Sequence, residues 1–198
     1  MKRSADYYSK LARQSGYPAR SVFKLQEMQE RFSLFRAGQS ILELGSAPGS
    51  WSKFCLQHLG NRGSLVAVDL EPVCLDSPSA ARYRFLQGDI FSEQMAATLR
   101  EWAPFNAVFS DAAPRTSGSG LVDAEVSLQI AQRVLEIGCK TLRTGGNLVV
   151  KIFQGGGEGR LLKQMKAQFR QARAFKPQAC RNQSRETYFI GLFFAAKS

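Results

Sequence analysis

Two hydrophobic rhythms alternate along the chain. Short apolar runs occur at SILEL 40–44, SLVAVD 64–69, YRFLQ 83–87, NAVFSD 106–111, NLVVKIF 147–153 and TYFIGLFFAA 187–196. Runs of this length, rich in β-branched and aromatic residues and bounded by Gly, Asp or Ser, predict strands. Helical patterns are predicted between them at about 51–60, 92–102 and 122–143. In the last, Val122, Val126, Ile130, Val134 and Ile137 recur every three to four positions, as on one helix face. A helix at RSVFKLQEM would bury Val22, Leu25, Met28 and Phe32 and leave Lys24 off the stripe, where it reads as a surface lysine. Another is predicted over 160–173, with Leu162, Met165, Phe169 and Ala172 as its apolar face. Strand and helix in alternation predict an α/β fold with a doubly wound, mostly parallel sheet. RNQSRETYFIGLFF has no helix before its strand, so it is expected to close a C-terminal antiparallel hairpin with QARAFKP. No linker or repeat interrupts the pattern. One domain is expected over 1–198, with 1–35 as a basic N-terminal segment and a helix packed on it.

Charge changes this picture. The formal net charge is +11, and it is unevenly placed. Residues 1–24 hold six Lys/Arg against one acid, Asp6, and residues 159–185 hold eight against none. Residues 25–158 carry twelve basic and fourteen acidic side chains. Two cationic segments flanking a neutral middle favour a polyanion partner, because clustered cations release counterions from phosphates. Tyr7, Tyr8, Tyr17 and Phe23 are interleaved with the first segment, as base-stacking residues would be, although Phe23 also reads as core. No apolar run approaches the roughly 20 residues of a membrane-spanning helix. Cys55, Cys74, Cys139 and Cys180 are scattered and His58 is the only histidine, so no metal site is expected. Free thiols suit a reducing cytoplasm.

In a sheet of this kind ligands bind outside the carboxyl ends of the strands. The first strand ends in ELGSAPGSW, where Gly45 and Gly49 allow a tight turn. This is neither the Gly-x-Gly-x-x-Gly of dinucleotide enzymes nor a phosphate-cradling P-loop. The second strand ends in Asp69, placed to accept ribose hydroxyls. The third leads to Asp89, placed to receive an adenine amine, and the fourth ends in Asp111. Three carboxylates at successive strand ends, with no phosphate cradle, predict a pocket for S-adenosylmethionine. The fifth strand delivers Lys151 to the same rim.

GYPARSVFKL, ELGSAPGSWS, VAVDLEP, LQGDI, FSDAAPRTSG, GGNLVVKIFQGGG and SRETYFIG, in this order, resemble the FtsJ/RrmJ-type ribosomal RNA 2′-O-methyltransferases. The resemblance implies a Rossmann-like methyltransferase fold and a Lys-Asp-Lys-Glu tetrad falling on Lys24, Asp111, Lys151 and Glu186. It places methyl-donor contacts on Gly49, Trp51, Asp69, Asp89 and Asp111. Glu43 departs from the family's Asp, Ser50 from a second glycine, and Ala112 from a larger residue. Residues 73–82 match poorly.

A ribose 2′-hydroxyl is a poor nucleophile until it loses its proton, whereas a methyl sulfonium is already activated. The enzyme therefore needs orientation and a base. Lys151 is expected to take the proton, Asp111 to hold Lys151, and Lys24 and Glu186 to orient the ribose. The resemblance implies a uridine of large-subunit RNA in the assembled subunit as the substrate, and a monomeric enzyme is expected. A transfer RNA anticodon loop or an mRNA cap is the alternative substrate. A non-catalytic RNA-binding module is the alternative from another class.

Overall fold

The computed structural model describes residues 5–75, 81–181 and 183–195, with side chains from residue 7. Lys2, Arg3, half of the weakly matching 73–82 segment (76–80), and Ala196 lie outside the described residues. In chain order the elements are α1 (Ala5–Gln14), α2 (Val22–Phe32), β1 (Ser40–Leu44), α3 (Ser50–Leu59), β2 (Ser64–Asp69), β3 (Arg82–Gln87) and α4 (Glu93–Glu101). They continue with β4 (Phe105–Ser110), α5 (Gly120–Thr141), β5 (Leu142–Phe153), α6 (Glu158–Gln168), β6 (Phe169–Phe175) and β7 (Glu186–Phe194).

The sheet order is β3-β2-β1-β4-β5-β7-β6. β1 to β5 are parallel, and β7 runs antiparallel to both β5 and β6. Both faces are covered, which is why β1 and β4 read as continuous apolar runs. One face packs Leu99, Leu128, Val134, Ile137, Leu161 and Met165 from α4, α5 and α6. The other packs Val22, Leu25, Met28, Trp51 and Phe54 from α2 and α3. Among the described residues, no helix is long and apolar enough to cross a membrane.

Three expectations are corrected. The helix expected over 160–173 stops at Gln168, and Phe169–Phe175 is the edge strand β6. Pairing with β7 supplies backbone partners over the whole stretch, and that outweighs helical spacing. Leu161 and Met165 are the buried residues of α6, while Leu162 is half-buried. On α5, Val122 and Val126 are exposed, not core. The face turned to the sheet instead carries Ala124, Ala131 and Gly138, seven residues apart, with Leu128, Val134 and Leu135 beside them. A Cβ on Gly138 would meet Leu148 Cδ1 at 2.4 Å, and one on Gly155 would meet Ala124 Cβ at 2.4 Å. Small residues are therefore what let α5 approach β5. Finally, Lys24 is buried, although α2's own apolar stripe leaves it outside.

Candidate active site

A cavity of about 510 Å³ opens at the carboxyl ends of the parallel strands, lined by residues from the turns after β1, β2, β3 and β4 and by Lys151 of β5. Gly45, with φ of 76°, starts the turn after β1. A side chain there would strike Ala112, whose Cβ lies 2.5 Å from the ideal Cβ position. Asp69 is fixed by two backbone donors: Ala47 N–H reaches Oδ2 at 2.7 Å and Glu71 N–H reaches Oδ1 at 2.9 Å. Asp89 Oδ1 accepts from Phe91 N–H at 2.9 Å. Leu70, Ile90, Phe91 and Ile130 provide apolar walls.

Gly49 and Trp51 are not among the lining residues, and the structure gives them other work. Gly49 has φ of 98°, and a Cβ there would meet Leu75 and Val73. Trp51 is 2% exposed, and its indole N–H donates to Ser21 O at 2.8 Å. The same end of α3 accepts Ala19 N–H on Ser50 Oγ at 2.7 Å, and Lys53 Nζ donates to Gly16 O at 2.7 Å. The start of α3 thus clamps residues 16–21, and this places the first turn of α2, with Lys24, over the sheet.

Strand alternation places the rest of the site. Phe109 and Val149 pack on the α2–α3 face, so Asp111 and Lys151, each two residues further on, lie on that face too. In the β5–β7 register Lys151 faces Tyr188 and Phe153 faces Glu186. Lys151 Nζ donates to the Asp111 carbonyl and, at 3.0 Å, to Asp111 Oδ1. Lys24 Nζ donates to Glu186 Oε1 at 2.5 Å. Tyr188 joins the two pairs: its hydroxyl lies 2.6 Å from Asp111 Oδ1 and 2.6 Å from Glu186 Oε1. A phenol has one proton, so it donates to one carboxylate at a time. The Cys180 thiol is 3.6 Å from Glu186 Oε1.

The electrostatics follow from this geometry. Burial favours the neutral form of Lys24, but Asp111 and Glu186 outweigh it and raise its pKa. Burial pushes Asp111 up, yet Lys151 and Lys24, with hydrogen bonds from Tyr188 and Lys151, hold it below the usual carboxylate range. Tyr188 is raised far above an ordinary phenol, first by burial and then by the two carboxylates. Burial also drives Glu43, beneath the site, up to about 8; Ser52 Oγ–H, 2.6 Å from Glu43 Oε2, opposes this, while Asp111 and Asp69 reinforce it.

The structure thus brings Lys24, Asp111, Lys151 and Glu186 into one cluster, and Asp69, Asp89 and Asp111 into one cavity. Sequence reading singled out Gly45 as the turn residue and missed Tyr188, Leu70, Ile90, Phe91 and Ile130. A signal for Tyr188 existed: it follows Glu186 by two along a strand, on the same face. The cavity suits a nucleoside bearing a positive charge. It has apolar walls for a ring, carboxylates in series for hydroxyl and amine donors, and a negative lining that disfavours phosphates.

Residues 17–194 match the model of the FtsJ-like methyltransferase family. A protein of Treponema denticola named Ribosomal RNA large subunit methyltransferase E is 46% identical over 190 residues, which is 96% of this chain and 94% of that one. The protein of the same name from Desulfatibacillum aliphaticivorans is 41% identical, over 94% of this chain and 89% of its own. Among solved structures, a ribosomal RNA methyltransferase from Plasmodium falciparum superposes with a TM-score of 0.79 at 22% identity, over 91% of this chain and all of that one. Human methyltransferase-like protein 13, in complex with SAH, has a TM-score of 0.62 at 15% identity, covering 87% of this chain and 83% of its own. The two structures share the fold, and the sequence matches go further: the chain belongs to the FtsJ-like methyltransferase family.

Proposed function

We propose that this chain methylates the 2′-hydroxyl of a ribose in large-subunit ribosomal RNA, with S-adenosylmethionine as donor. The observation that carries the reading is the linked cluster Lys24–Glu186–Tyr188–Asp111–Lys151 at the mouth of an acid-lined cavity. The relatives named for the ribosomal RNA large subunit support the choice of RNA. Asp69 would hold the donor's ribose, Asp89 its adenine amine, and Asp111 would lie nearest its sulfur. S-adenosylmethionine, when bound, supplies an activated methyl group on a positively charged sulfur. Lys151, at the rim of the cavity, is the general base that takes the 2′-hydroxyl proton. The oxygen gains the methyl carbon as the carbon–sulfur bond breaks. Lys24, held by Glu186, orients the ribose. Gly49 and Trp51 act by shaping the turn and placing α2. The substrate nucleotide would be a uridine of the assembled subunit, modified in the cytoplasm by a monomer working as one methyltransferase domain on which residues 1–35 pack.

Mapping 2′-O-methyl sites on ribosomal RNA from cells with and without this chain tests the reading. One large-subunit site should disappear. Purified chain with S-adenosylmethionine should restore it, on the assembled subunit faster than on naked RNA. If no large-subunit ribose changes and a transfer RNA or cap site does, the substrate is wrong. If no site of any kind changes, the chain is not a methylating enzyme.

A further inference from the structure

Arg133 lies on α5, in phase with the core, next to Val134 and one turn before Ile137. It is 9% exposed. Taking a guanidinium out of water costs several kcal/mol unless its donors are paired. Here three are. Nε–H donates to Ile90 O at 2.8 Å, Nη2 to Glu93 Oε1 at 3.0 Å, and Nη1 to Glu136 Oε2 at 2.9 Å. The two carboxylates are largely in water, with side-chain exposures of 77% and 45%. Their ion pairs with Arg133 are screened and contribute little to stability.

The Ile90 carbonyl is a different partner. It belongs to the Asp89–Phe91 segment that lines the cavity. That segment's other hydrogen bonds, Phe91 N–H to Asp89 Oδ1 and Ser92 N–H to Asp89 O, are local. Phe91 is 49% exposed, so burial does little to hold it. Ile130, one turn before Arg133 on α5, lines the same cavity. α5 therefore supplies one wall through Ile130 and reaches the adjoining wall through Arg133, which also grips Glu93 at the start of α4.

We propose that Arg133 is a positioning residue for the methyl donor: by tying the Ile90 carbonyl and Glu93 to α5 it preforms the wall against which the donor's adenine lies. This rests on the reading of the cavity as the S-adenosylmethionine site. A wall held in place before binding spares the ligand the cost of ordering it. A wall that is competent only part of the time weakens affinity by that fraction. The guanidinium reaches its three acceptors from three separate nitrogens in one rigid plane, a span that a single ammonium nitrogen does not cover, so lysine is a poor substitute.

A scaffolding role and a positioning role predict opposite patterns. Arg133→Met leaves Glu93 and Glu136 solvated and loses only screened ion pairs, which contribute little to stability. It should therefore melt within about 2 °C of the wild type. Its dissociation constants for S-adenosylmethionine and for 5′-methylthioadenosine, which keeps the adenosine and lacks the amino acid, should both rise about tenfold. In methyl transfer, KM for the donor should rise by the same factor while turnover at saturating donor changes less than about twofold. Arg133→Lys should fall between the two. Unchanged donor affinity in Arg133→Met would overturn the proposal, as would a loss of turnover that saturating donor does not restore. Should that variant fail to fold, Arg133→Lys carries the same test: it must weaken 5′-methylthioadenosine binding, and wild-type affinity in it overturns the proposal. Wild-type protein that binds neither ligand overturns the reading of the cavity itself, and the clamp with it.

Discussion

Lys151 stands at the end of an apolar strand because β5 carries it to the rim where Asp111 waits. Its ammonium is buried only because the Asp111 carbonyl and carboxylate both accept from it. Lys151→Ala should fold and bind S-adenosylmethionine nearly as the wild type does, since Leu148, Val149, Val150 and Ile152 hold the strand. Its rate of methyl transfer should fall by about 10² or more, the scale of a lost general base. Lys151→Arg should be nearly as slow, because a guanidinium keeps its proton at any working pH. Raising the pH should partly rescue the alanine variant as hydroxide substitutes for the base. Single-turnover transfer to the RNA substrate measures both variants. An arginine variant running near the wild-type rate would reduce Lys151 to a charge that positions the ribose. Lys24 is a lesson at the same scale. On its own helix it reads as a surface residue, and what buries it is Glu186, 162 positions away.

At the scale of elements, α6 and β6 carry the second cationic segment. Arg160, Lys163, Lys166, Arg170 and Arg173 are all exposed, the first three on α6 and the last two on the edge strand. Splitting the run between helix and strand leaves its charge in water, while Leu161, Met165 and Phe169 anchor it to the core. Arg173 lies over the ring of Phe32, 5.8 Å from its centroid, so part of the segment is braced against α2. Reversing Lys163, Lys166 and Arg170 to Glu should weaken RNA binding and flatten its dependence on salt, because fewer counterions are released. S-adenosylmethionine binding should be unaffected. RNA titrations at several salt concentrations decide this, and wild-type affinity and slope in the triple variant would remove α6 and β6 from the footprint.

Stability as a whole carries the mark of Glu43. Its carboxyl titrates at about 8 in the folded chain against 4.5 for the ordinary group, chiefly because it is buried. Between those values the folded state keeps a proton that the unfolded state has released. Stability therefore falls as pH rises from about 5 to 8, and this contribution levels off above. Glu43→Gln removes that slope and keeps an acceptor for Ser52. The variant's advantage in stability should be small near pH 5, grow toward pH 8 and then stay constant, with a ceiling on the order of 5 kcal/mol. Calorimetry of both proteins across this range is the check. A difference that does not change with pH would mean that Glu43 is ionised in the fold.

The sequence alone determined the strands, most helix positions, the parallel sheet with its reversed C-terminal hairpin, and the acids at successive strand ends. These are legible because each depends on local spacing: two residues for a strand face, three to four for a helix face, a charged or glycine residue where a strand stops. What only the tertiary structure decided depends on contacts between distant segments. β7 as a neighbour decided 171–173, which read both as helix and as hairpin strand, in favour of the strand and extended it back to Phe169. Close approach to β5 chose the small-residue face of α5 over the valine face. The clamp of α3 on residues 16–21 put Lys24 against Glu186 and made Trp51 an anchor. Tyr188 became the link between two ion pairs because β7 lies antiparallel beside β5. Burial and pairing are properties of the assembled layers, and no local pattern in one segment contains them.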